Sequence, residues 1–438
     1  MTVVTRFAPS PTGRLHVGNI RTALHNALFS LRHGGRFLLR IDDTDRERSR
    51  EEYVAAIVED LDWLGLKNDA MVRQSERFPL YEREFERLRA GGRVYACYET
   101  PEELELRRKV LLGRGLPPVY ERKPEGSPAP EGVPPHWRFK LDHGSLIVWD
   151  DLVRGRQQFD PKLISDPVIR RADGSWLYLL PSVIDDIDLG ISHIVRGEDH
   201  VSNSAVQLQM FAALGAEAPA FAHEALLVAA EGKLSKRLGS TGIDAMRDSG
   251  LEPMALLSLL ARLGTSQPVE AHHGLHELAE GFDFGTFGRA PAHFDLAEVE
   301  QLNARLLHQT DYAAVADRLP AEIDEPQWMA LRGNLARLDE ARDWVPVIHG
   351  EIETAEVVPD DKGLLAEAAD VAASLDWSGD PWHELTDALK ASTGRKGRML
   401  FLPLRVALTG RGSGPEMAPL VKLIGQDRAV ARLHAASH

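Results

Sequence analysis

The residues RFAPSPTGRLHVGN, numbers 6–19, connect a predicted strand to a predicted helix. Apolar residues from Val3 to Ala8 predict the strand, and the helix that follows has an apolar face formed by Ile20, Leu24, Leu28 and Leu31. A helix N-terminus carries unpaired N–H groups and a partial positive charge, and both attract phosphate. His16 can donate to a phosphate oxygen, and Gly18 lets a flat ligand approach the backbone. The segment therefore predicts an anion-binding turn.

Two further polar clusters follow predicted strands. Residues 40–45, RIDDTD, end a strand predicted from Phe37 to Ile41, and residues 195–200, VRGEDH, end a later one. Ligands of open α/β sheets bind outside the carboxyl ends of the strands. Both clusters are therefore expected beside the anion-binding turn. Ser49 and Glu52 predict a capping box for the helix after RIDDTD.

A basic, glycine-bracketed loop lies at residues 232–240, GKLSKRLGS, after another predicted strand. Its cations and hydroxyl group suit a polyphosphate whose charge moves during a reaction. Taken alone, each cluster is more typical of a turn, a helix cap, a surface ion pair or a solvated loop than of a binding site. The order of the clusters along an α/β pattern is what favours a binding site.

Composition limits the classes of function. The chain has 438 residues, 43% apolar and 27% charged, which predicts two to four globular domains. The single cysteine, Cys97, excludes an intramolecular disulfide and a multi-cysteine zinc site, and suits a reducing cytoplasm. The net charge of −15 excludes a uniform basic coat but not a local basic groove. No apolar stretch approaches the roughly 18 residues of a membrane span, and no export signal is visible.

The pattern of predicted elements changes along the chain. An α/β opening gives way at residues 94–182 to a helix, a Pro- and Gly-rich loop and short β segments. A strand from Ile191 and a helix starting at Val201, with Ser202 as a cap, restore the α/β pattern. Beyond Asp244 nearly every segment predicts helix, including Tyr312–Arg318 and Met417–His434. The predicted fold class is α/β: a Rossmann-like parallel sheet interrupted by an α+β insertion, followed by an all-α C-terminal half.

The ordered motifs resemble those of the class I aminoacyl-tRNA synthetases of the bacterial glutamyl type. TRFAPSPTGRLHVGN is similar to the glutamyl form of the HIGH signature, and KLSKR is similar to the KMSKS loop. RIDDTD, ADGSWLY, IDDIDLGISHIVRGED and FLPLRVALTG also match the glutamyl pattern. The resemblance is continuous over about residues 1–265 and patchier beyond.

The resemblance implies an enzyme that joins L-glutamate to tRNA(Glu), with ATP and Mg²⁺, acting as a cytoplasmic monomer without membrane contact. It implies a catalytic domain in two halves, residues 1–93 and 183–240, and an acceptor-end-binding insertion at 94–182. A stem-contact helical domain at 241–305 and a helical anticodon-binding domain at 306–438 complete the expected order.

The resemblance also assigns residues. His16, Gly18 and Lys236 are the implied catalytic residues. The implied ATP-binding residues are Pro9, Ser10, Thr12, His16, Gly18, Asn19, Lys233, Ser235, Lys236 and Arg237. The implied glutamate-binding residues are Arg6, Ser10, Asp42, Tyr178 and Arg196, with the two arginines on the carboxylates and Asp42 on the ammonium group. The implied tRNA-binding residues of the tail are Arg395, Lys396, Arg398, Arg405 and Arg411.

The sequence departs from the family pattern at three places. Asn19 replaces the last histidine of the HIGH tag, and Asp42 stands where the bacterial pattern usually has Glu. Cys97-Tyr98-Glu99 replaces a Cys-x-Cys zinc motif, so we expect no zinc. The alternatives are a shortened paralogue that glutamylates a modified base, a glutaminyl-tRNA synthetase, and a non-catalytic tRNA-binding regulator. The residues leave open whether tRNA(Gln) is also charged.

Overall fold

A computed structural model describes residues 2–123, 129–229, 242–353 and 357–438. The chain forms two compact units. The first comprises the residues up to Ser249 together with Leu256–Leu296, and the second comprises Gly250–Ala255 and Ala297–His438.

The first unit is built on a parallel sheet. Its first strands and helices alternate: β1 (Val4–Phe7), α1 (Val17–Arg32), β2 (Arg36–Ile41), α2 (Glu51–Trp63) and β3 (Ala70–Arg73). The strands pair in parallel in the order β1-β2-β3, with Arg6 opposite Leu38. All four residues of β1 and the last five of β2 are buried, as expected for strands covered on both faces.

The strand order reverses at β1. After α3 (Phe78–Ala90) and the insertion, the chain returns through α5 (Leu179–Asp188) to β9 (His193–Gly197), α6 (Val201–Ala213) and β10 (Ala220–Glu224). The backbone N–H of Ser192, just before β9, donates to the carbonyl of Val4 in β1 at 2.9 Å. The parallel pair β9–β10 thus continues the sheet on the other side of β1. Such a switch point opens a crevice at the carboxyl ends of the strands, which is where this fold binds ligands.

The insertion has the predicted α+β character. It contains β4 (Val94–Cys97), α4 (Pro101–Gly113), β5 (His136–Phe139), β6 (Ile147–Asp151), β7 (Gly155–Phe159) and β8 (Val168–Arg170). β4, β5 and β8 form an antiparallel sheet, and β6 and β7 form a hairpin. The N–H of Leu152, at the end of β6, donates to the carbonyl of Phe221 in β10 at 2.8 Å. The hairpin therefore lies against the parallel sheet.

The remainder is mostly helical. β11 (Leu227–Ala229) pairs in parallel with β12 (Ala292–Phe294). The helices of this part are α7 (Ile243–Asp248), α8 (Pro253–Arg262), α9 (Leu275–Glu280), α10 (Leu296–Gln309), α11 (Glu325–Leu331), α12 (Val345–His349), α13 (Pro359–Ser374), α14 (Pro381–Thr393), α15 (Arg398–Thr409), α16 (Met417–Ile424) and α17 (Gln426–Ala436). The predicted fold class, with its parallel sheet, insertion and helical C-terminal half, is confirmed. Among the described residues, no helix is long and apolar enough to cross a membrane.

Two predicted helices differ from the structure. Tyr312–Arg318 forms two short 3₁₀ turns, Tyr312–Ala314 and Ala316–Arg318, because Val315 between them has φ −126°, outside the helical range. The predicted helix from Met417 is divided at Gly425, which adopts φ 82°. This conformation is open to glycine and ends α16 before α17 begins.

The predicted N-caps are also wrong. The backbone N–H of Arg50 donates to the carbonyl of Pro11 at 3.0 Å, so α2 begins at Glu51 with Arg50, not Ser49, as its N-cap. The hydroxyl of Ser49 is buried and has no hydrogen-bond partner in the described part of the chain. A tertiary hydrogen bond to the anion-binding turn has replaced the local capping box. Ser202 lies inside α6, because a 3₁₀ turn over Glu198–His200 leads directly into that helix.

One buried arginine joins the helices of the second unit. Both terminal nitrogens of Arg432 donate to backbone carbonyls, those of Pro346, Val347, Gly350 and Leu408, at 2.7–3.3 Å. Three of these carbonyls lie at the end of α12 and one lies in α15. The side chain thus satisfies carbonyl groups that a helix end leaves without partners.

We expect Arg432→Met to lower the free energy of unfolding of the second unit by roughly 3 kcal/mol, because it leaves these buried carbonyls without donors. Urea unfolding followed by circular dichroism measures the change. Arg428→Met is the matched control, since Arg428 is exposed and bonds the carbonyl of Ile424. Equal losses in both variants would contradict the role of Arg432.

Candidate active site

A cavity of about 850 Å³ opens at the switch point of the parallel sheet. Its wall is formed by the residues that follow β1, β2 and β9, together with the start of α1 and of α5. Among its lining residues are Arg6, Pro9, Ser10, Thr12, His16, Gly18, Asn19, Asp42, Tyr178 and Arg196. The structure therefore brings together every predicted ATP- and glutamate-binding residue that it describes. Lys233, Ser235, Lys236 and Arg237 lie outside the described residues.

The N-terminus of α1 determines how His16 faces the cavity. His16 is the N-cap residue, and its Nδ1 accepts from the backbone N–H of Gly18 at 3.1 Å and of Asn19 at 3.4 Å. Burial lowers the pKa of His16, so the ring is neutral near pH 7. Because Nδ1 is an acceptor, the proton of the neutral ring is on Nε2. Nε2–H is then a donor that the helix does not use.

Asn19 and Gly18 each support this arrangement. The side-chain oxygen of Asn19 accepts from the backbone N–H of His16 at 3.1 Å, which completes a capping box. A Cβ atom at position 18 would lie 3.0 Å from Cε1 of His16 and would push the ring aside. Asparagine at the position of the last HIGH histidine therefore has a structural role of its own.

Arginine and aspartate side chains form a buried network beneath the cavity. Arg6 Nε lies 3.0 Å from Asp186 Oδ1, and Arg40 Nη1 lies 2.8 Å from the same oxygen. Arg40 also donates to both oxygens of Asp42, at 2.7 and 3.1 Å. Asp185 Oδ2 lies 3.9 Å from Arg40 Nε as well, so each guanidinium has a carboxylate partner and the positive charge of Arg6 is already compensated.

The carboxyl of Asp42 is unusual in this network. Burial raises its pKa to about 6, although the guanidinium of Arg40 opposes the shift. A carboxylate offers about four lone-pair positions, and Arg40 uses two of them. Asp42 therefore keeps acceptor capacity toward the cavity, which it lines.

Arg196 differs from the other two arginines. Its guanidinium is buried and donates to Ser204 Oγ and Gln207 Oε1, both at 2.6 Å, and no carboxylate among the described residues lies within 4.0 Å of it. Burial, together with the nearby charge of Arg6, lowers its pKa to about 10. A buried cation without a counter-ion is costly, and an anionic ligand would remove that cost.

Tyr178 also has an unused polar group. Its hydroxyl is buried and has no hydrogen-bond partner among the described residues. Burial raises the pKa of Tyr178 to about 12, so it remains a neutral phenol that can donate or accept. Arg196 lacks a described counter-ion and Tyr178 lacks a described hydrogen-bond partner. These two lining side chains are therefore the ones that a bound ligand would satisfy most directly.

The motif analysis missed Arg40 and Asp186 as members of the site. A signal was present in IDDIDLG, where Asp185 and Asp186 interrupt an apolar helix that includes Val183 and Ile184. Both acids are fully buried in α5, a position that such side chains occupy only when they are paired.

The predicted tRNA-binding residues of the tail fall into two groups. Arg395 is paired with Asp361, Arg405 donates to the carbonyl of Pro415 at 2.9 Å, and Arg411 lies over the ring of Trp344. These three side chains hold their own unit together. Lys396 and Arg398 are exposed, and neither makes an ion pair with any residue that the structure describes. Of the five predicted residues, Lys396 and Arg398 are therefore the two whose charges no described residue pairs.

The insertion places His136 beside the Cys97-Tyr98-Glu99 segment. The ligand atoms of Cys97, Glu99 and His136 lie within 4.8 Å of one another, a proximity that the sequence did not reveal. Burial raises the pKa of the Cys97 thiol, and the ammonium of Lys123 lies 3.2 Å from the carboxylate of Glu99. A structural zinc takes four protein ligands, whereas this group of described residues offers three, and one of them, Glu99, is already paired with Lys123, so the set does not fit a structural zinc site. The absence of zinc stays a prediction.

We expect protein purified without chelator to carry substoichiometric zinc, measured by plasma mass spectrometry. Lys123→Ala removes the competing cation and is expected to raise the zinc content. Glu102→Ala, at an exposed acid of the same segment, serves as the control. One zinc per unmodified chain would contradict the expectation.

Comparisons with known proteins agree with this architecture. The family model described as tRNA synthetases class I (E and Q), catalytic domain, matches residues 2–296. The model described as anticodon binding domain matches residues 349–437. The first match ends at residue 296, which is also the last residue of the first compact unit.

The similarity extends over whole chains. The chain is 66% identical over 436 residues to glutamate–tRNA ligase 2 of Sphingopyxis alaskensis, spanning 100% of this chain and 99% of that one. It is 63% identical over 442 residues to glutamate–tRNA ligase 1 of Rhizorhabdus wittichii, spanning 99% and 100%. A solved glutamate tRNA ligase from Elizabethkingia meningosepticum, in complex with its amino acid, has a TM-score of 0.85 at 27% identity over 100% and 99% of the two chains. The family resemblance found in the motifs is confirmed, and the chain belongs to the class I tRNA synthetases of the glutamyl and glutaminyl group.

Proposed function

We propose that the chain is a glutamate–tRNA ligase, which activates L-glutamate with ATP and transfers the glutamyl group to the 3′-terminal adenosine of tRNA(Glu). The observation that carries this proposal is the buried guanidinium of Arg196, which lines the same cavity as the His16 turn and has no carboxylate partner among the described residues. Relatives with this name are 60–66% identical over nearly the whole chain, which supports the assignment.

The reaction brings two anions together. The α-carboxylate of glutamate attacks the α-phosphate of ATP in line, glutamyl-adenylate forms and pyrophosphate leaves. A hydroxyl of the terminal ribose then attacks the activated carbonyl and releases AMP. Neither step needs a side-chain nucleophile, so positioning and charge stabilisation account for the rate.

The ATP side of the cavity is the turn between β1 and α1. His16 donates from Nε2 to a phosphate oxygen, and Gly18 leaves the adenine ring room above the backbone. The surrounding contacts come from Pro9, Ser10, Thr12 and Asn19, all of which line the cavity. Lys233, Ser235, Lys236 and Arg237 belong to this proposal through their motif, with Lys236 on the departing phosphates. Mg²⁺ enters with ATP, bound to its phosphates, and offsets their charge.

The glutamate side of the cavity is defined by charge. Arg196 binds the side-chain carboxylate of the substrate, because its own charge is not compensated. Arg6 supports the same carboxylate electrostatically while it remains paired with Asp186. Asp42 accepts from the ammonium group, and Ser10 and Tyr178 supply hydroxyl groups. An arginine side chain has only N–H donors, so the NH₂ of glutamine would face a donor and be rejected.

The tRNA side rests on the remaining segments. The insertion at 94–182 holds the acceptor end, 241–305 contacts the stem and 306–438 reads the anticodon. Support for the last role comes from the anticodon-binding match at residues 349–437 and from exposed Lys396 and Arg398. Monomeric state and cytoplasmic location stay predictions.

We expect ATP–pyrophosphate exchange that depends on glutamate and on tRNA(Glu), with little exchange for glutamine. Isotope exchange with purified tRNA measures it, and parallel charging of tRNA(Glu) and tRNA(Gln) defines the tRNA specificity. No exchange with any cognate tRNA present would reject the proposed function.

We expect the KM for glutamate to rise as the pH falls below about 6. The raised pKa of Asp42 means that its carboxyl gains a proton there and loses its attraction for the ammonium group. The ionised fraction then falls about tenfold per pH unit. Steady-state kinetics between pH 5 and 8 measure the effect.

Asp42→Asn is the matched variant for this pH effect. It should have a high KM for glutamate that no longer changes with pH, while the KM for ATP stays close to that of the parent. A pH dependence retained in Asp42→Asn would assign the effect to another group.

A further inference from the structure

A continuous line of buried hydrogen bonds leads from Arg196 to the insertion. Arg196 Nη2 donates to Ser204 Oγ at 2.6 Å, and Ser204 Oγ lies 2.7 Å from His223 Nε2. His223 Nδ1 lies 2.5 Å from Asp151 Oδ2. Ser204, His223 and the Asp151 side chain have no exposed surface. Beyond Arg196, none of these residues lines the cavity.

Which atom donates and which accepts in each hydrogen bond of this line follows from its two end groups, Arg196 and Asp151. Arg196 can only donate, so Ser204 Oγ accepts from it and points its own proton elsewhere. Asp151 is an acceptor, because the hydrogen bonds from His223 and Arg154 outweigh the effect of burial and hold its pKa below the usual range. Asp151 therefore takes the proton of His223 Nδ1, and Nε2 is left as the acceptor for Ser204.

The imidazole is neutral in this arrangement. Burial lowers the pKa of His223, and the charge of Arg196 acts in the same direction. Arg196 Nε also lies 3.4 Å from Nε2 of His223. An unprotonated Nε2 accepts at that distance, whereas an Nε2–H group would place one donor against another.

We propose that Asp151, His223 and Ser204 are positioning residues that fix the rotamer of Arg196 for the side-chain carboxylate of the amino-acid substrate. The inference rests on the proposed function and adds three residues that do not touch the substrate. Each residue in the line determines the donor or acceptor state of the next, so the tautomer of one imidazole sets the environment of the specificity arginine.

The pairing of strands β9 and β10 places two residues of this hydrogen-bonded line side by side. Arg196 in β9 and His223 in β10 are direct partners in the parallel pair. Asp151 ends β6, where the backbone N–H groups of Val153, Arg154 and His223 hold its Oδ1 at 2.9–3.1 Å. Oδ2 is thereby directed at the imidazole. The insertion therefore contributes a charge to the amino-acid side of the catalytic unit.

Ser204→Ala tests the line at its centre, with Ser202→Ala as the matched control. Ser202 lies on the same helix but is exposed. Removal of a hydrogen bond to a charged group should raise the KM for glutamate about tenfold in Ser204→Ala, with the KM for ATP within about twofold of the parent. Ser202→Ala should leave both unchanged. Equal changes in the two KM values, or no change, would overturn the proposal.

Asp151→Asn tests the tautomer directly. The backbone N–H groups keep the amide oxygen at the Oδ1 position, so the NH₂ group faces Nδ1 of His223 and forces the proton onto Nε2. The ¹⁵N chemical shifts of labelled histidine report this change, with His223→Gln identifying the signal among 17 histidines. We expect Nδ1–H in the parent, Nε2–H in Asp151→Asn, and a rise in the KM for glutamate of at least about tenfold. Nε2–H in the parent would overturn the proposal.

The outcomes separate this inference from the proposed function. A parent protein that shows no glutamate-dependent exchange rejects the function. A parent that charges tRNA normally, with Ser204→Ala indistinguishable from Ser202→Ala, rejects only the positioning line. Melting temperatures measured on every variant show whether a loss of activity follows from unfolding, and the tautomer of His223 is measured on the folded parent whether or not that protein is active.

Discussion

An unequal pairing of buried charges governs this active site. Arg6 and Arg40 line the cavity, and each is paired with a buried carboxylate: Arg6 with Asp186, and Arg40 with Asp42 and Asp186. Arg196, in β9, is also buried, but its described hydrogen-bond partners are uncharged: Ser204 Oγ, Gln207 Oε1 and the imidazole of His223. Uncharged partners orient a guanidinium group but do not neutralise its positive charge. The cavity therefore favours an anion beside Arg196. It would not do so if every buried arginine had a carboxylate partner.

The turn between β1 and α1 is organised in a different way. There a helix cap lines the cavity, and the backbone of α1 holds the side chain of that cap. His16 uses one ring nitrogen to satisfy the first N–H groups of α1, which leaves the other as a donor of known protonation. The helix N-terminus and the imidazole of His16 therefore form a single structural unit that presents hydrogen-bond donors to the cavity.

The predictive power of the sequence was greatest where local chemistry determines structure. The turn after β1, the clusters after β2 and β9 and the α+β insertion followed from strand ends, glycines and apolar spacing. Ser49 failed as a cap because the neighbouring N–H of Arg50 bonds to Pro11, a contact between segments that no local pattern contains. Asp186 and His136 were missed for the same reason, since their partners are distant in the chain. The tail arginines show the converse: Arg395, Arg405 and Arg411 look available in the sequence but are used within their own unit.

The position of the hairpin β6–β7 limits how freely the insertion can change in sequence among related proteins. Its terminal acid, Asp151, sits inside the catalytic unit although it is encoded within the inserted segment. Replacing that segment with the corresponding segment of a related protein would therefore also change contacts inside the catalytic unit. A chimaera whose hairpin lacks an acid at this point would no longer hold the proton of His223 on Nδ1, and the surroundings of Arg196 would change although no residue lining the cavity had been replaced. The sequence of the insertion is in this way tied to one side chain of the cavity, Arg196.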